Sequence, residues 1–284
     1  MRIAHRHCLM PLLALLGACS PLSLFNGLVP KDSGTELAAR GVSYGGDARQ
    51  RLDVYVPAGA AKTPRPVIVF FYGGSWNSGD RAGYAFVGRA LAAKGFVTVI
   101  PDYRLVPAVV YPGFVEDGAS AVRWARAHAK DYGGDGGRIV LAGHSAGAYI
   151  AAMLAVDGRW LGADRKAVRG LAGLAGPYDF APFDKDASRA AFGQWPHPAE
   201  TQPVTHADAG APPALLLTGA EDTTVKPRNS KALAAKLRAA GVAAELKAYP
   251  GIGHVGILTA IARPFRGKAP VLADVVAFAE QVTR

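Results

Sequence analysis

Cysteine is nearly absent from this chain. There are two, Cys8 and Cys19, and both lie near the N-terminus. The body of the protein therefore has no internal disulfide, no catalytic thiol and no cysteine-based metal site. Its stability has to come from a hydrophobic core, and 284 residues with 50% hydrophobic content are enough for one ordinary domain. The chain also lacks any Lys/Arg-rich run or interleaved aromatic pattern. The formal net charge of +10 is scattered along it, so nucleic acid is not an expected partner. No internal repeat, low-complexity tract or metal-ligand spacing occurs, and neither metal nor cofactor is expected. Beyond the N-terminus no segment is long and apolar enough for a membrane-spanning helix.

The first residues read as a leader. Arg2 and Arg6 supply a positive n-region. Leu9 to Leu16 is a short apolar stretch, followed by "LGAC" at Leu16 to Cys19. Small residues before a cleavage point mark a secretory signal. The segment also resembles a bacterial lipobox, which implies removal of residues 1–18 and acylation of Cys19. An ordinary signal peptide is the alternative. Lipidation would anchor the protein to the bacterial cell envelope without spanning the membrane. By the same resemblance, Ser20 implies the periplasmic face of the outer membrane. Residues 19–41, with Pro21, Pro30 and Gly34, read as a tether, and 42–284 as the folded domain.

From Val42 the pattern is one of alternating elements. "RLDVYVP" alternates like a half-buried strand. "PVIVFFYGG" and "FVTVIPDYR" are continuous apolar runs of the kind that parallel sheets bury on both faces. Helical patterns closed by glycines lie between them and after them. "RIVLAG", "VRGLAGLAG", "PALLLTG" and "AELKAYPG" add strands. "SAGAYIAAMLAV", "NSKALAAKLRAAG" and "APVLADVVAFAEQV" add helices. The expected fold class is α/β, with a mostly parallel sheet and helices on both faces. The stretch from Gly176 to Pro212 is less regular and could form a small cap over a pocket.

"GHSAG" falls between a strand and a small-residue helix, where a nucleophile elbow would place Ser145. A serine hydroxyl needs a base, and this chain order calls for an acid and then a histidine downstream. Glu221 and Asp222 follow one strand, and His254 follows the next. Asp222 is favoured over Glu221 because it lies further into its loop. His144 is adjacent to the serine, but neighbours in a sharp turn point apart. His128 lies on a helix, and His197 and His206 sit in the cap-like stretch. Gly73 and Gly74, after the first long buried strand, can offer unobstructed N–H groups to an oxyanion, with Ala146 completing the set. Asp102, Glu116 and Asp117 read as structural carboxylates at a strand end and a helix start.

These segments jointly resemble an α/β-hydrolase of the carboxylesterase type, close to the hormone-sensitive-lipase-like and BD-FAE-like esterases. "YGGSW" is similar to the family's His-Gly-Gly-x-Trp segment, with Tyr72 in place of histidine. "PDYRL", "EDGASAVRW", "GGDGGRIVLAGHSAG", "GPYDF", "EDTTV" and "GIGH" follow in the family's order. The resemblance implies an α/β-hydrolase fold with at most a small cap. It implies attack by Ser145, with His254 as base and then acid, oriented by Asp222. Gly73, Gly74 and Ala146 would bind the oxyanion. The implied substrate is a small-molecule ester of short-to-medium acyl length. An amidase such as an arylformamidase, a peptidase, or a non-catalytic binding lipoprotein are the alternatives.

Overall fold

The apolar runs become the middle of one sheet, and the order of its strands follows from how each is buried. The computed structural model describes residues 21–284. Its strands are β1 (Thr35–Ser43), β2 (Arg51–Pro57), β3 (Arg65–Phe71), β4 (Val97–Pro101), β5 (Gly134–His144), β6 (Val168–Leu174), β7 (Ala214–Gly219) and β8 (Ala244–Tyr249). They form an eight-stranded sheet in the order β1-β2-β4-β3-β5-β6-β7-β8. From β4 to β8 every pairing is parallel. β2 runs antiparallel to both its neighbours, β1 and β4.

The helices are α1 (Pro21–Leu28), α2 (Ala85–Ala92), α3 (Gly113–His128), α4 (Ala146–Val156), α5 (Gly158–Leu161), α6 (Asp186–Phe192), α7 (Pro203–His206), α8 (Arg228–Ala239), α9 (His254–Thr259) and α10 (Val271–Val282). They cover both faces of the sheet, because successive strand side chains point to opposite sides. On β3, Phe71 faces the α3–α4 layer, where Gly118 and Ile150 meet. Phe70 faces the other way and packs on Tyr84, at a centroid distance of 6.0 Å. α4 is buried along its whole length. Its alanines and glycine allow it to pack closely against both the sheet and α3.

Two expectations change at the N-terminal side. The stretch 19–41, read as a tether, is ordered structure from residue 21 onward. Asn26 ties α1 down: its side chain donates to the Ala82 carbonyl and accepts from the Phe86 N–H, each at 3.0 Å. Phe25 meets Phe86 edge-on at 5.3 Å. β1 carries a period-two alternation in which Glu36, Ala38 and Arg40 face out and Leu37 and Ala39 face in. "RLDVYVP", read as half-buried, is an interior strand buried on both faces. Its Asp53 is satisfied by the Arg81 side chain and the Gly41 N–H, both at 2.8 Å. The proposed leader and Cys19 lie outside the described residues. Among the described residues no helix is long and apolar enough to cross a membrane.

Candidate active site

The loops that leave the carboxyl ends of β3, β5, β7 and β8 converge on one edge of the sheet, where α/β folds of this kind hold their ligands. After β5 the chain turns sharply into α4. Ser145 takes φ 54° and ψ −122°, a strained backbone that costs ~1–3 kcal/mol and persists only when its surroundings enforce it. The enforcement is steric. A Cβ on Gly147 would overlap the Phe71 carbonyl, and one on Gly143 would overlap the Gly147 backbone. The Ser145 N–H is pinned to the Leu174 carbonyl at 2.9 Å.

The side chains expected to meet do meet. Ser145 Oγ lies 2.9 Å from His254 Nε2. His254 Nδ1 lies 2.8 Å from Asp222 Oδ2. With Nδ1–H donated to the carboxylate, the Nε2 lone pair is left to accept the serine hydroxyl. Burial pushes the Asp222 carboxyl up. Its hydrogen bonds from His254 and from the Val225 and Thr224 N–H groups outweigh that push and hold it below its ordinary value. Asp222 therefore stays ionised beside the ring. Glu221, the rival acid, is exposed.

His144 does not serve Ser145, but it is not idle. Its Nε2–H donates to the His254 backbone carbonyl at 3.0 Å, and the two rings lie 4.9 Å apart. Burial, followed by the neighbouring His254, pulls its pKa down to about 3. It is a neutral strut that supports the loop carrying His254. Its Nδ1 is buried without a hydrogen-bond partner. His128 and His197 are exposed, and His206 is half-buried with its Nε2–H on the Glu200 carbonyl at 2.7 Å.

The loop after β3 corrects one expectation. The N–H of Gly73, read as an oxyanion donor, is committed to the Tyr84 hydroxyl at 3.0 Å. The N–H groups of Gly74 and Ser75 have no partner among the described residues. Ala146 opens α4, so its N–H has no intrahelical partner either. Gly74, Ser75 and Ala146 are thus the free donors around Ser145. Ser75 escaped sequence reasoning because nothing in its type marks it. The signal is positional: Ser75 and Trp76 both adopt positive φ, 51° and 61°.

Tyr72, the departure from the family pattern, turns its polar end away from Ser145. Its hydroxyl accepts from Arg49 at 2.8 Å, and its ring stacks on Tyr103 at 4.7 Å. Arg49 also binds the Gly79 and Tyr103 carbonyls. The pair therefore ties the loop after β3 to the segment that follows β4. The structural carboxylates are placed as expected. Asp102 pairs with Arg81, Asp117 is gripped by Arg104 and Gln50, and Glu116 is exposed on α3.

Ser145 sits where two cavities meet. One, of about 140 Å³, runs past Trp76 and Ala146 to the cap-like stretch at Phe180 and Ser188. The other, of about 500 Å³, contains His144 and His254 and extends to Leu22 and Phe25 of α1. Ser75 borders both.

The family model BD-FAE matches residues 52–237 of this chain. Esterase LipC of Mycobacterium tuberculosis is 32% identical over 243 residues, which cover 76% of this chain and 59% of that protein. A probable isoprenylcysteine alpha-carbonyl methylesterase, ICMEL1 of Arabidopsis thaliana, is 29% identical over 253 residues, covering 80% of this chain and 52% of that one. The chain thus spans a little over half the length of these relatives. Among solved structures, the apo form of Thermogutta terrifontis esterase 2 superposes with a TM-score of 0.70 at 26% identity, covering 89% of this chain and 94% of that one. The same esterase is described in a propionate-bound form and phosphonylated by sarin. A truncated carbohydrate esterase from gut microbiota matches with a TM-score of 0.78 at 21% identity, over 90% of this chain and 99% of that one, a likeness of fold alone. With its sheet topology, its elbow and this matched span, the chain belongs to the BD-FAE family of α/β-hydrolases.

Proposed function

We propose that this protein is a carboxylesterase that cleaves esters of short-to-medium acyl chains through an acyl-enzyme on Ser145. One observation carries the reading: the unbroken relay from Ser145 Oγ through His254 to Asp222, at 2.9 and 2.8 Å. In acylation His254 takes the serine proton as Oγ attacks the carbonyl carbon. The tetrahedral oxyanion is held by the N–H groups of Ala146, Gly74 and Ser75. His254 then gives its proton to the departing alkoxide oxygen as the C–O bond breaks. Water repeats the sequence and releases the acid. Removing one oxyanion donor commonly costs about 10²–10³ in rate. Relatives named as esterases support the ester over the amide.

The test is turnover of p-nitrophenyl acetate. Ser145→Ala should lose at least ~10⁴-fold in kcat and fail to react with a fluorophosphonate. Full activity in that variant would overturn the reading. A panel pairing esters with N-formyl amides of the same acyl group should favour the esters. Preference for the amides would make this an amidase, and no reaction with either would leave a binding module.

We also infer attachment to the cell envelope through Cys19. The support is local. α1 begins two residues after that cysteine, and its outward side exposes Leu24 and Leu28, two of the most exposed large apolar side chains among the described residues. Palmitate label should enter the protein and be lost in Cys19→Ala. Label retained in that variant would refute the anchor.

A further inference from the structure

The family model accounts for residues 52–237, yet one side of the cavity at Ser145 is built from residues outside that span. Leu22 and Phe25 of α1 and Val255 and Leu258 of α9 line the larger cavity. α1 is held there firmly. Phe25 packs on Phe86 and Phe265, at 5.3 and 5.8 Å. Asn26 bonds to the turn that precedes α2, through the Ala82 carbonyl, and to the first turn of α2, through the Phe86 N–H, and the Lys31 ammonium donates to the Asn26 carbonyl.

The chemistry of the leaving group decides what this cavity takes. When the alkoxide departs, the Ser145 Oγ–carbon bond has formed, the carbon–alkoxy oxygen bond breaks, and the proton from His254 Nε2 goes to that oxygen. The alcohol therefore has to lie on the His254 side of Ser145. His254 borders the larger cavity and not the smaller one. The smaller cavity, of about 140 Å³ against about 500 Å³, is left for the acyl group.

We propose that α1 is the wall of an alcohol-binding subsite, and that the substrate class is esters joining a short acyl group to a larger, apolar alcohol. This rests on the esterase reading above. An apolar lining rewards apolar alcohol surface and offers little to a hydroxyl-rich sugar, which would leave its hydroxyls unpaired. Leu22 is the residue to vary, because it is half-buried and Phe25 carries more of the packing.

The experiment measures kcat/KM for acetate esters of ethanol, 1-hexanol and 2-naphthol, and separately for an acyl series on p-nitrophenol. The full chain is compared with Leu22→Ala and Leu22→Trp. Wild type should prefer 2-naphthyl over ethyl acetate and lose efficiency as the acyl chain lengthens. Leu22→Ala should lower the naphthyl-to-ethyl ratio by about tenfold, chiefly through KM. Leu22→Trp should lower the naphthyl and hexyl ratios more steeply by filling the space. The order within the acyl series should be the same in all three. A Leu22 variant that shifts the acyl series and leaves the alcohol ratio fixed would overturn the assignment, as would a ratio unmoved in both variants. Failure of the esterase reading looks different: wild type would then turn over none of these esters and take no fluorophosphonate.

Discussion

His144 is the single residue whose environment makes the sharpest demand on pH. It is buried and neutral, with its pKa pulled from 6.5 down to about 3 by burial and by His254. The unfolded chain binds a proton below about pH 6.5, whereas the folded chain resists it until far lower. The unfolded state therefore binds more protons, and folding stability falls as pH drops from about 6.5 toward 3. Between those limits the slope approaches ~1.4 kcal/mol per pH unit. Asp222, with its pKa held down, adds stability above its ordinary pKa of 3.8 that is lost as pH falls further. Urea melts should show wild type losing stability between pH 6 and 4 more steeply than His144→Gln. Parallel curves would remove His144 as the cause. His144→Leu also takes the donor from the His254 carbonyl. It should lower kcat by about tenfold or more with little change in KM, while Gln, which can still donate, restores part of the loss.

At the scale of elements, the site depends on how tightly strands and helices approach one another. Gly147→Ala places a methyl group on the Phe71 carbonyl, which is backbone and cannot rotate aside. The expected cost is ~3 kcal/mol or more, read as a lower urea midpoint together with lost activity. A fully stable variant would refute the close-packing account of the elbow. Tyr72→Phe leaves Arg49 without its hydroxyl acceptor beside a buried ring. It should destabilise by ~1–2 kcal/mol and slow turnover while labelling of Ser145 persists. Strand and helix order could be read because parallel strands are continuous apolar runs and glycines punctuate the helices between them. The meeting of Ser145, His254 and Asp222 could be read because each of them follows a strand. β1 escaped because an edge strand needs only a weak alternation, which Gly41 interrupts. Gly73 was misassigned because sequence shows that a glycine N–H is unobstructed by its own side chain. It cannot show that Tyr84, eleven residues on, already occupies it.

Over the whole molecule, α1 and β1, which precede residue 42 or straddle it, are packed onto the domain. α1 and β1 are held by long-range contacts, among them the Arg266–Asp32 ion pair at 2.7 Å. Asn26→Ala removes the two hydrogen bonds of that side chain, to the Ala82 carbonyl and from the Phe86 N–H, and should loosen α1 without unfolding the sheet. Limited proteolysis should then cut between residues 21 and 34 ahead of all other sites, and uncut protein under wild-type-like conditions would contradict the anchoring. The central claim is that one edge of this sheet assembles a reactive serine. Intact-mass and peptide analysis after fluorophosphonate treatment tests it most directly. The account predicts one adduct, on the peptide carrying Ser145, absent in Ser145→Ala and slowed by at least ~10³-fold in His254→Ala. An unlabelled wild type, a label on another residue, or undiminished labelling without His254 would contradict it.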